Sequence, residues 1–286
     1  MSEHWFCSAE KQASRMIGKL QRAGEIDSVR SLSNFEERLT VIAQNLKDNK
    51  LPSLNNLTPE RATQYLIDRA VEVKQSTLNM ERQAMQHIIG EKLTIIKSEL
   101  ETIKSSRAYT PDQVQIIAQH QTQKHSLATE IAHAAGLRAH ELLTIRPSQE
   151  RAPDKRPAHE SKFKGRQGIS YTVEGKGGLT REIRLPAALS RRLESHKLPE
   201  PKQITDRGVH YQQYYAIAGG QRWSNSFSAA SNRSCGWSNG AHGLRHSYAQ
   251  ERMSELQREH PRDEALQIVS QEIGHFRPEI TEVYLR

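Results

Sequence analysis

Residues 136–142 have the sequence Gly-Leu-Arg-Ala-His-Glu-Leu, and they follow an apolar helical pattern that extends from Ser126 to Ala135. A glycine at this place typically ends a helix, because it adopts the left-handed backbone conformation without a steric penalty. Arg138 and Glu141 are three residues apart, so a helical turn puts both on one side. The stretch predicts a helix end followed by an arginine with a carboxylate partner. An arginine that only satisfies the carbonyls of a helix end is the alternative.

The chain before this stretch shows helical patterns in two groups. In the first group, helix starts are expected at Ser8, at the capping box Ser33–Glu36, at Thr58-Pro59 and at Ser76, with the last helix extending to Ile103. Residues 104–107 are polar and are interpreted as a linker. Thr110-Pro111-Asp112-Gln113 then opens a new helix. We therefore expect a helical domain over residues 1–106 and a second domain over 107–286.

The chain after the stretch contains one clear β-hairpin. Ile169–Val173 and Thr180–Leu185 alternate apolar and polar residues, and the glycine-rich turn between them carries Lys176. From Gly208 onward we expect mostly helix, with a loop over Ser224–Gly240. The expected fold class is mainly α with a small β-sheet (α+β).

The chain has 286 residues and a net charge of +8, and the excess positive charge is local. Residues 107–286 contain 26 basic and 19 acidic residues, and Arg151–Arg192 alone contains 11 basic and 4 acidic ones. A local basic surface favours a polyanionic partner, nucleic acid before membrane, although a solvated basic face is the alternative. Five cations of this stretch are expected to contact phosphates: Lys155, Arg156, Lys162, Lys164 and Arg166.

Several protein classes are excluded by what the sequence lacks. No apolar run approaches the ~20 residues of a membrane-spanning helix. The first residues contain no apolar stretch of a signal peptide, so a cytoplasmic location is expected. The two cysteines, Cys7 and Cys235, exclude a disulfide scaffold and a CxxC zinc pattern. We expect neither a metal nor a cofactor.

Three further motifs lie near the end of the chain. They are His242-Gly-Leu-Arg-His246, Gly274-His275-Phe276 and Tyr284, which follows His275 by nine residues. His242 and Arg245 have helical spacing, and two cationic groups side by side favour an anion between them. Each motif also has a structural explanation: a His–Arg pair, a buried histidine and a packing tyrosine.

In their order and setting, these motifs, the 136–142 stretch and the Lys176 turn resemble the tyrosine recombinase (phage integrase) family. The N-terminal helices resemble the core-binding domain of that family, so the likeness extends over most of the chain. The resemblance implies a core-binding domain and a catalytic domain that close around DNA as a C-shaped clamp.

The residue types suit cleavage of a DNA phosphodiester without a metal ion. Arg138 and Arg245 are expected to bind the non-bridging oxygens, because guanidiniums bond oxyanions with forked hydrogen bonds and stay charged. Tyr284 is the expected nucleophile. Glu141 is expected to orient Arg138 or His242 and not to touch substrate.

The remaining roles concern protons. Lys176, on a flexible turn, is the expected general acid for the leaving 5′-oxygen. A plain exposed hairpin lysine is the alternative, and Arg181 and Arg184 are nearby rivals. His242 and His275 are expected to donate hydrogen bonds to the phosphate or to help the tyrosine lose its proton.

The resemblance also implies the course of the reaction. Tyr284 would attach to the 3′-phosphate and release a 5′-hydroxyl, and the stored bond energy makes ATP unnecessary. Four protomers would exchange strands through a Holliday junction, integrating or excising a mobile element on bacterial or phage DNA. Two alternatives stay open. One is a DNA-binding architectural or regulatory relative without efficient cleavage, and the other is a type IB topoisomerase, which acts alone.

Overall fold

The computed structural model of the protein describes residues 7–26, 29–101 and 105–286. The chain divides into two compact units, Met1–Ile103 and Lys104–Arg286. The linker expected over 104–107 begins with Lys104, which lies outside the described residues. No helix within the described ranges is both long enough and apolar enough to cross a bilayer.

The N-terminal unit is a helical bundle. Its helices are α1 (Ala9–Arg22), α2 (Val29–Asp48), α3 (Pro59–Arg69) and α4 (Gln75–Ile89). The hydroxyl of Ser8 caps α1 by accepting a hydrogen bond from Lys11 N (3.3 Å), and Thr58 caps α3 through Arg61 N (3.4 Å). Each cap contributes roughly 1 kcal/mol. Apolar side chains from all four helices fill a single core, which holds the bundle together.

Two sequence predictions for this unit are wrong. Helix α2 begins at Val29, so the Ser33–Glu36 pair lies inside the helix and not at its start. Helix α4 ends at Ile89, because Gly90 adopts the left-handed conformation (φ 79°). The apolar residues Leu93 and Ile96 still pack against the bundle from the segment that follows, which explains their helix-like spacing. Residues 102 and 103, the predicted end of that helix, lie outside the described residues.

The C-terminal unit combines helices with two small antiparallel sheets, which confirms the expected α+β class. Its helices are α5 (Pro111–Gln119), α6 (Gln123–Ala135), α7 (Ala187–Glu194), α8 (Gly220–Cys235), α9 (Gly243–Leu256), α10 (Arg262–Glu272) and α11 (Pro278–Thr281). Single 3₁₀ turns cover Glu141–Leu143, Lys176–Gly178 and Glu282–Tyr284. The predicted capping box of Thr110 and Gln113 is present at the start of α5.

The first sheet contains the predicted hairpin. Its order is β1 (Arg146–Pro147), β2 (Ile169–Glu174) and β3 (Thr180–Leu185), all antiparallel. Ile169 lies opposite Leu185 and Glu174 lies opposite Thr180, so the turn between them holds Lys176. The alternate residues Arg181, Ile183 and Leu185 of β3 are buried.

The expectation of mostly helix after Gly208 is wrong in part. Strands β4 (Lys197–Asp206) and β5 (Val209–Tyr215) form a second hairpin, in which Arg207 and Gly208 have positive φ angles (50° and 76°). Most residues of β4 are exposed and the strand contains two prolines, which suits an edge strand but hides the pattern. Helix α8 also occupies most of the loop expected over 224–240.

Candidate active site

The first arginine of the site follows the end of α6. Gly136 has a φ of 59°, and an added Cβ would lie 2.8 Å from Tyr248 Cδ1, so only glycine fits this turn. Beyond it, the N–H of Arg138 donates to Glu141 Oε2 (2.8 Å), and Arg138 Nη1 donates to Glu141 Oε1 (2.8 Å). Glu141 therefore fixes both the backbone and the guanidinium of Arg138.

The Glu141 carboxylate is fully buried and is surrounded by positive charge. Arg181 Nη2 donates to Glu141 Oε2 (2.7 Å), and Arg245 Nη1 lies 3.9 Å from the same oxygen. Burial alone would raise the pKa of Glu141, but the charges of Arg181, Arg245 and Arg138 hold this pKa well below its ordinary value. The carboxylate is therefore ionised at neutral pH and anchors the guanidiniums around it.

The second arginine lies in the first turn of α9. Arg245 is fully buried, and it donates from Nη1 to Gly136 O (2.6 Å) and from Nη2 to Ile273 O. Its Nε has no hydrogen-bond partner among the described residues. Burial and the charge of Arg138 lower the pKa of Arg245 to about 9. The guanidinium is thus charged at neutral pH in surroundings that disfavour its charge.

A histidine joins the two arginines. Gly274 turns the chain after α10 (φ 73°), and His275 Nε2 then lies 3.0 Å from Arg138 Nη2 and 3.3 Å from Arg245 Nη2. Since a guanidinium only donates, we assign Nε2 as the acceptor and the ring proton to Nδ1, 3.4 Å from Thr281 Oγ1. Burial and the charges of Arg245 and Arg138 lower the pKa of His275 to about 3, so the ring is neutral.

The ring of Tyr284 packs against these groups. Tyr284 lies in the last 3₁₀ turn and is only 8% exposed. Its ring centroid is 4.8 Å from that of His246 and 5.2 Å from that of His275. The ring of His242 is 5.5 Å away, and the guanidinium carbon of Arg245 lies 5.4 Å from the Tyr284 centroid. A phenol, three imidazoles and a guanidinium therefore share one small volume.

The charges of this cluster do not balance. Burial and the charge of Arg245 lower the pKa of His242 to about 3, and burial and the charge of Arg107 lower that of His246 to about 4. With the imidazoles neutral, three guanidiniums against the single Glu141 carboxylate leave two positive charges. No group of three or more histidine, cysteine and acidic side chains in the described ranges could hold a metal ion. The cluster is suited to bind a tetrahedral oxyanion beside a phenol.

No protein-family model and no curated protein matches the chain, but solved structures do. XerH site-specific recombinase bound to a palindromic difH substrate is 16% identical, with a TM-score of 0.61, over 98% of this chain and 82% of that one. Tn1549 transposon integrase in complex with circular intermediate DNA is 15% identical, with a TM-score of 0.54, over 96% and 95%. A lambda integrase tetramer bound to a Holliday junction is 16% identical, with a TM-score of 0.60, over 96% and 76%. The chain has the tyrosine recombinase fold.

Within this tyrosine recombinase fold, five of the six candidate catalytic residues converge, namely Arg138, His242, Arg245, His275 and Tyr284. The sixth, Lys176, is exposed at the β2–β3 turn. An added Cβ on Gly175 would lie 3.9 Å from Arg138 Nη1, so the turn is adjacent to the cluster. Among the described residues no hydrogen bond or ion pair joins Lys176 to the cluster, and its role stays a prediction.

The five candidate DNA-binding cations lie in the loop between β1 and β2. Four of them are paired with carboxylates: Arg156 with Asp154 (3.1 Å), Lys162 with Glu182 (3.7 Å), Lys164 with Glu259 (2.7 Å) and Arg166 with Glu255 (2.7 Å). Lys155 is exposed and has no carboxylate partner in the described part of the chain. It lines an open groove of about 580 Å³ together with Arg156, Gly178 and Thr180. Most of the positive charge of this loop is thus balanced within the protein.

The sequence assigns no role to His246 and names Arg181 only as a rival of Lys176. Arg181 is buried behind Glu141, where the alternation of β3 would have put it, since it shares the buried face with Ile183 and Leu185. His246 follows His242 by four residues and therefore lies on the same face of α9. Periodicity was the available signal in both cases.

Proposed function

We propose that the protein is a site-specific tyrosine recombinase that cleaves and rejoins DNA through a covalent 3′-phosphotyrosine intermediate. Arg245 and His275 pack against the ring of Tyr284, and Arg138 lies within hydrogen-bond distance of His275. This arrangement, with two unbalanced positive charges, carries the proposal. A phosphodiester has one negative charge, and its pentavalent transition state has a second. The positive excess therefore matches the transition state better than the ground state, which is the requirement for catalysis.

In the cleavage step, the Tyr284 oxygen forms a bond to phosphorus and the bond from phosphorus to the 5′-oxygen breaks. In the absence of DNA, His275 Nε2 accepts hydrogen bonds from the guanidiniums of Arg138 and Arg245. When the phosphate binds, it accepts these N–H groups instead, and His275 Nε2 becomes free. The neutral imidazoles of His242 and His275 are then available for the phenol proton. Lys176 supplies the proton that the 5′-oxygen needs on leaving.

Rejoining reverses these bonds. A 5′-hydroxyl attacks the phosphotyrosine, the P–O bond to Tyr284 breaks, and the phenol regains its proton, so no cofactor is consumed. In this proposal residues 1–106 are the core-binding domain, residues 107–286 are the catalytic domain, and four protomers assemble on the DNA. A shared fold with the lambda integrase tetramer on a Holliday junction supports such an assembly. The fold of a transposon integrase supports a role in moving a mobile element on bacterial or phage DNA.

DNA contacts outside the cluster would come from the β1–β2 loop. Lys155 can bind a phosphate without losing an ion pair. The other four cations must each break an ion pair with a carboxylate before they bind one: Arg156, Lys162, Lys164 and Arg166. Such contacts add affinity that depends on salt but add little sequence selectivity.

The test is covalent capture. The protein is mixed with nicked duplexes, both a pool with a randomised centre and a set tiled over the DNA beside its gene, so that a cut releases a short fragment and traps the enzyme. We expect a DNA adduct that resists detergent and maps by mass spectrometry to Tyr284. Tyr284→Phe is expected to remove the adduct entirely and to retain DNA binding, because only the hydroxyl is lost.

Other outcomes select the alternatives. DNA binding without any adduct would favour the architectural relative. Relaxation of supercoiled plasmids without a specific site would favour the topoisomerase.

A further inference from the structure

We infer that Arg181 is a positioning residue of the reaction, which acts on the phosphate only through Glu141 and Arg138. This inference rests on the proposed function. Arg181 lies on β3, five residues after Lys176, and the sequence alone leaves it as a rival for the role of that lysine. The contacts of Arg181 inside the protein indicate a positioning role instead.

Arg181 is 3% exposed, and the protein uses each of its guanidinium nitrogens. Nε donates to Glu141 Oε1 (3.4 Å), Nη1 donates to Glu272 O (2.7 Å), and Nη2 donates to both Glu141 Oε2 (2.7 Å) and Gly136 O (3.2 Å). Four of the five N–H groups of Arg181 are thus engaged inside the protein, and none of its nitrogens is left without a partner, unlike Nε of Arg245. Direct contact with DNA is therefore not its role.

The partners of Arg181 are the three segments that carry the site. Glu141 holds Arg138, Gly136 O also accepts from Arg245, and Glu272 precedes the turn to His275. An added Cβ on Gly274 would lie 2.7 Å from Arg181 Cδ, so the side chain also packs directly under that turn. Arg181 thus sets the relative positions of both guanidiniums and the imidazole from one point on the hairpin.

Its charge has a second effect. Glu141 is ionised in a fully buried place because positive neighbours offset its desolvation, and Arg181 has the strongest interaction among them. Without Arg181, the carboxylate loses the two hydrogen bonds that fix its two oxygens, so the position in which it holds Arg138 is less well defined. The variant is therefore expected to cleave more slowly but to bind DNA normally, because the orientation of the Arg138 guanidinium matters most in the transition state.

The experiment measures single-turnover cleavage of a captured nicked duplex by Arg181→Met, Arg181→Lys and the matched control Arg184→Met. Arg184 lies three residues away on the opposite face of β3, with its nearest carboxylate at 3.9 Å. Each enzyme acts on three linkages: the phosphodiester, a methylphosphonate that lacks the negative charge, and a linkage with sulfur as the 5′ leaving atom, which needs no proton on leaving.

We expect Arg181→Met to lower the cleavage rate of the phosphodiester about 100-fold, as misplaced catalytic groups do. The loss should persist on the sulfur linkage, shrink on the methylphosphonate, and be smaller for Arg181→Lys. DNA affinity and the rates of Arg184→Met should match those of the parent protein. A loss confined to the oxygen leaving group would instead make Arg181 part of proton delivery.

Equal losses on all three linkages would mean a purely structural role and would overturn the inference, as would an unchanged rate. If Arg181→Met does not fold, the ratio of methylphosphonate to phosphodiester cleavage by Arg181→Lys decides, because its charge and most of its volume are kept. Absence of any adduct with the parent protein would overturn the proposed function and this inference together. A normal parent with an unaffected Arg181→Met would overturn this inference alone.

Discussion

Two buried carboxylates of the C-terminal unit, Glu272 and Glu141, differ in the positive charge that surrounds them. Glu272 is fully buried and accepts hydrogen bonds from Arg252 Nε (2.9 Å) and Nη2 (2.8 Å). The hydroxyl of Tyr248 (2.8 Å) and the N–H of Phe163 (2.9 Å) complete its shell, so one carboxylate meets one guanidinium. Glu141 is equally buried but has three guanidiniums around it.

Helix α9 contributes an arginine to each cluster, and the two arginines respond differently to burial. Burial tends to lower the pKa of Arg252, but its hydrogen bonds and charge interaction with Glu272 raise this pKa above its ordinary value. Burial and Arg138 lower the pKa of Arg245. The matched pair of Glu272 has no net charge, whereas the Glu141 cluster keeps a charge that only an additional anion would satisfy.

The largest effect is expected from Arg245→Met. Cleavage should fall about 100- to 1,000-fold, because one donor to the transition-state oxyanion is lost. The free energy of unfolding should change by no more than about 1 kcal/mol, since the lost bonds to two carbonyls are offset by removal of an unfavourable buried charge. Adduct kinetics and urea unfolding followed by tryptophan fluorescence measure the two effects, and Trp223 is a fully buried reporter in this unit. A large loss of stability would contradict the contrast with Arg252.

The sequence predicts the elements of this site better than their contacts. The capping box at Thr110 and the glycine after α6 are local signals, and both predictions are confirmed. The same kind of signal at Ser33 is wrong, because an earlier turn of α2 forms and leaves Ser33 inside the helix. Local patterns give the probability of a cap, and tertiary packing decides which of them is used.

The contacts depend on which way a polar side chain faces. Arg181 and Arg184 look alike in the sequence, but one is buried against Glu141 and the other is half-buried on the opposite face. The second hairpin, β4–β5, is missed for a related reason, because its mostly polar and exposed residues show little alternation. Long-range charge compensation, which fixes these arrangements, is not a local property of the chain.

A smaller effect, of the opposite kind, is expected from Arg252→Met. Removal of one partner leaves Glu272 as a buried carboxylate without a cation, which lowers the free energy of unfolding by about 3 kcal/mol. Cleavage by the folded fraction should be retained. Arg166→Met is the control, since its ion pair with Glu255 is partly exposed and contributes less than about 1 kcal/mol. A stability loss no greater than that of the control would remove the distinction between the two carboxylates.

The smallest effect per side chain concerns acid. The pKa of His242 and of His275 is lowered to about 3, and that of His246 to about 4, first by burial and then by neighbouring arginines. Above the unfolded value of about 6.5 each ring is neutral in both states, so it contributes no pH dependence. Below pH 6.5 these histidines become protonated in the unfolded chain but stay neutral in the folded protein. The contribution of these histidines to stability should therefore be nearly constant above pH 6.5 and fall as the pH decreases towards 3.

Between pH 6.5 and 5 we expect a loss of about 1.5 kcal/mol for each of His246 and His275 and a smaller loss for the more exposed His242, measured from the urea midpoint of the C-terminal unit. Arg245→Met should flatten this slope, because it removes the positive charge beside His242 and His275. Arg252→Met should leave the slope intact, since no imidazole contacts the guanidinium of Arg252 among the described residues. His210→Gln, on an exposed strand, is a neutral control. If both arginine variants change the slope equally, the acid response belongs to the whole unit and not to the unbalanced cluster.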